Sequence, residues 1–187
     1  MLNNEHFFNP KFKIINSIKK KKPSIVKVYD KLFYTIYHKL NESNMFFNKY
    51  NEKIEKIKVI ELLSLRQFKQ KNKILEDLQN SNIQLFTLNA LCELWNINIT
   101  WFSSNCYYEF IVNPNKEVYY LSDTLEWKNK PETMKYKIVD IFKPLKSISY
   151  YKLDELKEMS SYMNINGKTK KDLYDQIVEY FKHIKLI

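Results

Sequence analysis

The sequence predicts an α+β fold in which helices come first, a small and mostly antiparallel sheet follows, and a pair of short helices closes the chain. Apolar residues recur at three- and four-residue spacing from Asp30 to Trp95, which is the period of a helix. From Ile97 they alternate with polar residues, which is the period of a strand. Helical spacing returns on both sides of Gly167, the one glycine among 187 residues.

In chain order, residues 1–24 carry six lysines against Glu5, a net of +5, with Lys19, Lys20, Lys21 and Lys22 as the densest charge run. This segment reads as a flexible basic arm, with phosphate contact or nuclear import as its functional alternative. Residues 25–146 form an α+β domain with a net charge of +4. Within it, Leu32, Phe33, Ile36, Tyr37 and Leu40 give Asp30–Leu40 one apolar helical face, and Asn41, Ser43 and Asn44 mark a break. Glu52–Gln79 reads as one long helix or two, with an apolar stripe of Ile54, Ile57, Ile60, Leu65 and Phe68 and a polar interruption over Lys69–Lys73. Leu85–Trp95 is a helix with Leu85, Leu88, Leu91, Cys92 and Trp95 on one side, stopped by Asn96. Ile97–Phe102 is a strand. Tyr107–Val112 and Glu117–Leu121 are expected to pair as a hairpin around Asn113-Pro114-Asn115, and Tyr136–Ile141 to add a fourth strand. Pro144 begins a linker.

The last unit spans 147–187. Leu153, Leu156, Met159 and Met163 share one stripe of a helix over Lys152–Met163, with Asp154 and Glu155 in its first turn, where the helix dipole favours anions. Thr169 and Asp172 make a capping box for a second helix whose stripe is Leu173, Ile177, Phe181 and Ile184. The two stripes can bury only each other or the larger domain, and a unit of ~40 residues is marginal alone.

Composition narrows the function. A single glycine cannot build a phosphate loop, a dinucleotide fingerprint or most oxyanion turns. The formal charge of +10 favours an acidic partner, nucleic acid first and an anionic membrane surface second. Arg66 is the one arginine among 31 basic residues, so phosphate contact by lysine is favoured over base-specific reading. Cys92, Cys106, His6, His38 and His183 show no metal-ligand spacing, so neither metal nor cofactor is expected. No apolar run is long enough to span a membrane, and the N-terminus has no apolar signal core.

Leu153, Leu156-Lys157-Glu158-Met159, Ile165, Lys170, Leu173 and Ile177 carry a resemblance to the SAP family of helix–loop–helix DNA-binding motifs and to the related N-terminal motif of Rho termination factor. The likeness covers 152–186. It implies A/T-rich DNA as partner, with the loop and the start of the second helix facing the phosphates. Gly167 falls one place early for the family, and Lys168 stands where the family often has glycine. Independently, Lys168, Lys170 and Lys171 cluster beside a helix N-terminus, where free N–H groups attract anions. Gly167, Lys168, Thr169, Lys170 and Lys171 are therefore the candidate nucleic-acid contacts, with Lys19, Lys20, Lys21 and Lys22 as a second set.

Tyr29–Thr35, Leu88–Ile99 and Lys143–Ser149 resemble segments of uncharacterised proteins of large DNA viruses that carry such a module. The helix-to-strand step Leu91–Phe102 is similar to one in OTU-type cysteine proteases. In that family a Cys opens an early helix and a His follows a late strand. Here the early helix holds Leu32, Phe33, Tyr34 and Thr35, and Cys92 and Cys106 read as buried thiols. Trp101, Tyr107, Tyr108, Tyr119 and Tyr120 could make a stacking platform for single strands, though packing accounts for most of them.

The expectation is a non-enzymatic, intracellular, nucleic-acid-binding accessory protein of a large DNA virus, acting on DNA rather than RNA. It would reside in the nucleus, a cytoplasmic viral factory or the virion. Two alternatives stand: a protein-interaction module whose helical pair is a docking surface, and an inactive or divergent cysteine-protease-like domain.

Overall fold

A computed structural model describes residues 30–41, 49–184 and 186. The basic arm, with Lys19, Lys20, Lys21 and Lys22, lies outside them. Helix α1 spans Lys31–Asn41, α2 Lys49–Ser64 and α3 Lys71–Asp77. A short 3-10 turn, Leu85–Thr87, leads into α4, Leu88–Trp95. Strands β1 (Asn98–Phe102), β2 (Cys106–Phe110), β3 (Val118–Ser122), β4 (Trp127–Lys128) and β5 (Tyr136–Lys137) follow. Helices α5 (Leu153–Met163) and α6 (Lys170–His183) close the chain. The α+β class and the C-terminal helical pair stand as the sequence predicts.

Helix α1 starts where Asp30 accepts the Phe33 N–H at 3.0 Å, the capping geometry that satisfies an orphan donor. Its Leu32, Phe33 and Ile36 are buried as expected. Helix α2 departs from expectation. Its inner face is Glu52, Lys56, Val59 and Leu63, whereas Ile57 and Leu65 are 53% and 85% exposed. The reason is a buried ion network: the Lys56 ammonium lies 2.6 Å from Asp30 and 3.6 Å from Glu52. Charged residues hold the core side, so apolar spacing points to the wrong face. The polar interruption before α3 is a turn that Gln70 makes with φ of 59°. Asn96 ends α4 in the left-handed conformation (φ 52°), and the Ile97 N–H closes back on the Cys92 carbonyl.

The sheet runs β4-β3-β1-β2-β5. β1 pairs antiparallel with β2 and parallel with β3, β2 parallel with β5, and β3 antiparallel with β4. The sheet is therefore mixed rather than mostly antiparallel, and β2 and β3 do not form the expected hairpin, because β1 lies between them. Asn98 is the physical cause. It is fully buried at the start of β1, and its Oδ1 accepts the Val112 and Asn113 N–H groups at 2.9 and 3.0 Å. Its Nδ2 donates to the Asn113 and Lys116 carbonyls at 2.6 and 3.0 Å. The Asn113–Lys116 turn is thus folded over the end of β1. The hairpin lies instead between β1 and β2, where the Ser103 N–H donates to the Cys106 carbonyl. Of the expected fourth strand only Tyr136–Lys137 joins a ladder, and Trp127–Lys128 adds an edge strand that the pattern did not announce.

Alternation gives the sheet two faces. Ile99, Trp101, Cys106, Phe110 and Leu121 join the helices in the main core. Strand register puts Phe102, Tyr107 and Tyr120 on the other face. The C-terminal pair has a core of its own, made of Leu145, Leu156, Met159, Met163, Leu173, Ile177 and Phe181. Leu153, expected in that stripe, is 38% exposed. Tyr136, Tyr180 and Ile184 pack against both cores and join them.

Candidate nucleic-acid interface

The loop between α5 and α6 is built by side-chain caps. Asn164 takes the left-handed turn (φ 57°) that ends α5, and its N–H reaches back to the Ser160 and Ser161 carbonyls. Thr169 caps α6 by accepting the Asp172 N–H at 3.1 Å. The expected capping box is shifted by one residue. The Asp172 carboxylate accepts the N–H of Lys168, at 3.0 Å, not that of Thr169. It also accepts from the Gln176 amide, at 2.9 Å, and that amide donates to the Asn166 carbonyl as well. The Gln176 amide and then the Lys168 N–H hold the Asp172 carboxyl below the usual carboxylate range.

Gly167 does not supply a positive φ; Asn164 does. Its role is close approach. A Cβ at Gly167 would stand 2.8 Å from Leu173 Cδ2 and 2.9 Å from Leu173 Cγ. The loop lies directly on Leu173, the first buried residue of α6, so any side chain there would displace a core leucine.

Lys168 and Lys171 are exposed and Lys170 is half-buried. None of the three enters a salt bridge among the described residues. The N–H groups of Lys170 and Lys171 are the first two of α6 and fall outside the helix's own ladder. Among the described residues, the junction therefore presents three ammonium groups around two N–H groups outside the helix ladder, with Asp172 as the one carboxylate hydrogen-bonded into the loop.

The fold brings residues here that the sequence reading did not include. Tyr174 donates its hydroxyl to the Lys146 carbonyl at 2.9 Å, and the Lys146 N–H donates to the Tyr151 hydroxyl at 2.9 Å. The Lys146 ammonium sits 3.6 Å over the ring of Tyr150, which is 60% exposed. This basic-aromatic strip adjoins α6. The Tyr150-Tyr151 pair after Lys146 was its only sequence signal.

The five aromatics considered as one stacking platform do not form one. Trp101 is 2% exposed in the core, Tyr108 shares its side of the sheet, and Tyr107 and Tyr120 lie on the opposite face. Cys92 and Cys106 are buried free thiols. Burial pushes the Cys92 thiol up, and burial pushes Cys106 up to about 12 against the hydrogen bonds of Tyr180 and Ser103. Both thiols are therefore protonated at neutral pH, the unreactive form. His38 and His183 are exposed, on α1 and at the end of α6.

Among the described residues there is no group of three or more His, Cys, Asp or Glu side chains that could hold a metal. No helix among them is long and apolar enough to cross a membrane. Comparison with protein-family models, with curated proteins and with solved structures gives no match.

Proposed function

We propose that the protein is a non-enzymatic nucleic-acid-binding accessory protein that grips the DNA backbone through the α5–α6 junction. The observation that carries this reading is the set of Lys168, Lys170 and Lys171, without salt bridges among the described residues, at the N-terminus of a capped helix. Lysine neutralises phosphate as a point charge, and the free N–H groups of Lys170 and Lys171 add directed donors. The resemblance of 152–186 to SAP-type motifs supports the same surface. Lys19, Lys20, Lys21 and Lys22 would extend the contact. Little sequence preference follows, because backbone contacts position a protein without reading bases. An intracellular site of action fits such a partner.

The test is fluorescence anisotropy of an A/T-rich duplex over a salt series, comparing the full chain with Lys168→Ala/Lys170→Ala/Lys171→Ala. Each lost phosphate contact lowers the slope of log K against log salt by roughly 0.9, so the triple variant should lose about 2 to 3 from the slope. An unchanged slope with unchanged affinity overturns the assignment to this junction. Absence of duplex binding at low salt leaves the helical pair as a protein-docking element.

A further inference from the structure

At the outer edge of the sheet, β3, β4 and the end of α1 enclose a groove of about 570 Å³. We infer that this groove binds single-stranded nucleic acid, with Tyr119 and Trp127 as stacking groups and Lys39, Lys128 and Lys130 as phosphate contacts. It shares no residue with the α5–α6 junction, so it adds to the backbone-binding reading and can fail separately from it.

Three features carry the inference. The first is the wall. Tyr119 and Trp127 lie on the same face of the sheet and meet edge to face, with ring centres 6.0 Å apart, and both side chains are half-buried. Half-buried rings are held in place yet keep a surface on which a base can stack. The second is charge. The Lys39 ammonium stands 4.9 Å from the Tyr119 ring centre, reaching in from α1. Lys128 is paired with Glu126 at 2.7 Å, while Lys39 and Lys130 have no salt bridge among the described residues. Glu117 is the one carboxylate in the lining, against three ammonium groups. The third is shape. The β3–β4 ladder covers only Tyr120 and Leu121, so among the described residues β3 has no strand partner on that side at Val118 and Tyr119.

Rings and ammonium groups in one concave edge suit an unstacked base with its phosphate. A duplex keeps its bases stacked inside and offers such a wall nothing to stack on. An apolar peptide would bury these lysines without partners.

The test uses the full chain and a short oligothymidylate, with tryptophan fluorescence and anisotropy as parallel readouts. Binding should quench fluorescence, and Trp127→Phe should remove the quench, since Trp101 is buried in the main core and Trp95 packs against Phe33 of that core, outside the groove lining. Lys39→Glu/Lys130→Glu should weaken the oligonucleotide on the order of ten-fold or more at low salt. Tyr119→Leu, which keeps a strand-compatible apolar residue, should weaken it on the order of ten-fold by loss of stacking. Near-ultraviolet circular dichroism establishes that each variant is folded; if the double charge variant is not, Lys130→Glu alone carries that arm. The Lys168→Ala/Lys170→Ala/Lys171→Ala variant should keep the oligonucleotide-induced quench while losing duplex affinity. Parent-like oligonucleotide binding by the folded groove variants overturns the inference and leaves the α5–α6 reading intact. So does a mononucleotide that binds as tightly as the oligonucleotide, or a quench that persists in Trp127→Phe.

Discussion

Asp30 makes contacts that tie three separate parts of the chain together. Its carboxylate accepts the Phe33 N–H, the Ile83 N–H at 2.8 Å and the Lys56 ammonium, while its own N–H donates to Glu52. It is fully buried, and so are its partners Glu52 and Lys56, at 5% exposure each. Two carboxylates and one ammonium in a core are tolerable only while every group has a partner. Lys56→Met keeps the volume and removes the cation, leaving both carboxylates buried without it. It should cost about 3–5 kcal/mol of stability by chemical denaturation. Gly167 tests a different constraint, close packing. Gly167→Ala puts a methyl within 3.0 Å of two atoms of Leu173, a side chain only 2% exposed. The leucine must leave its place in the C-terminal core, at about 1–3 kcal/mol. Because the φ of Gly167 is not positive, backbone strain adds nothing, and a neutral result would show that α6 can shift to absorb the methyl.

Among the elements, those legible in the sequence are the ones whose stop signals and apolar spacing agree. Asp30 before α1, Asn96 after α4 and Thr169 before α6 are each followed or preceded by the expected buried stripe. Helix α2 departs from its apolar pattern because Glu52 and Lys56 occupy inward positions that a hydrophobic pattern assigns to solvent. The β2–β3 connection departs from the expected hairpin because a turn signal states only that the chain reverses, not which strand lies beside which. That choice was made by Asn98, a polar residue within the strand that gave no sign of a structural role. Asn98→Ala removes four hydrogen bonds at once and leaves the Val112 and Asn113 N–H groups without their acceptor. A loss of about 2 kcal/mol or more follows, and hydrogen exchange should locate it, with protection falling first at Val112 and Asn113. The two candidate surfaces divide in the same way. Lys168, Lys170 and Lys171 are neighbours in sequence and were legible. Lys39, Lys128 and Lys130 meet only because α1 packs beside the β3–β4 edge, and no local pattern announces that.

For the molecule as a whole, the question is whether the C-terminal pair is an appendage or part of one cooperative unit. Charge does not mark it out, since residues 147–187 carry seven lysines against six acids, a net of +1. Packing does. Tyr180 and Ile184 of the pair lie against the main core, the Tyr180 hydroxyl is 3.3 Å from Ser103 Oγ in the β1–β2 turn, and Tyr136 of β5 packs against both cores. Cutting the chain after Lys146 would strip that cover from Cys106 and Tyr136 and expose Leu145, a buried member of the C-terminal core. The remaining fragment should melt at lower temperature than the full chain, and the excised pair, ~40 residues with six of the buried side chains of that core, should not fold by itself. Calorimetry of the full chain should accordingly give a single transition whose calorimetric and van't Hoff enthalpies agree. Two resolved transitions would mean that the α5–α6 pair folds independently and that its contacts through Tyr136, Tyr180 and Ile184 contribute little. A single transition would mean that a ligand gripping the loop at Lys168–Lys171 stabilises the sheet as well, because anything that binds only the native state raises the stability of the whole cooperative unit.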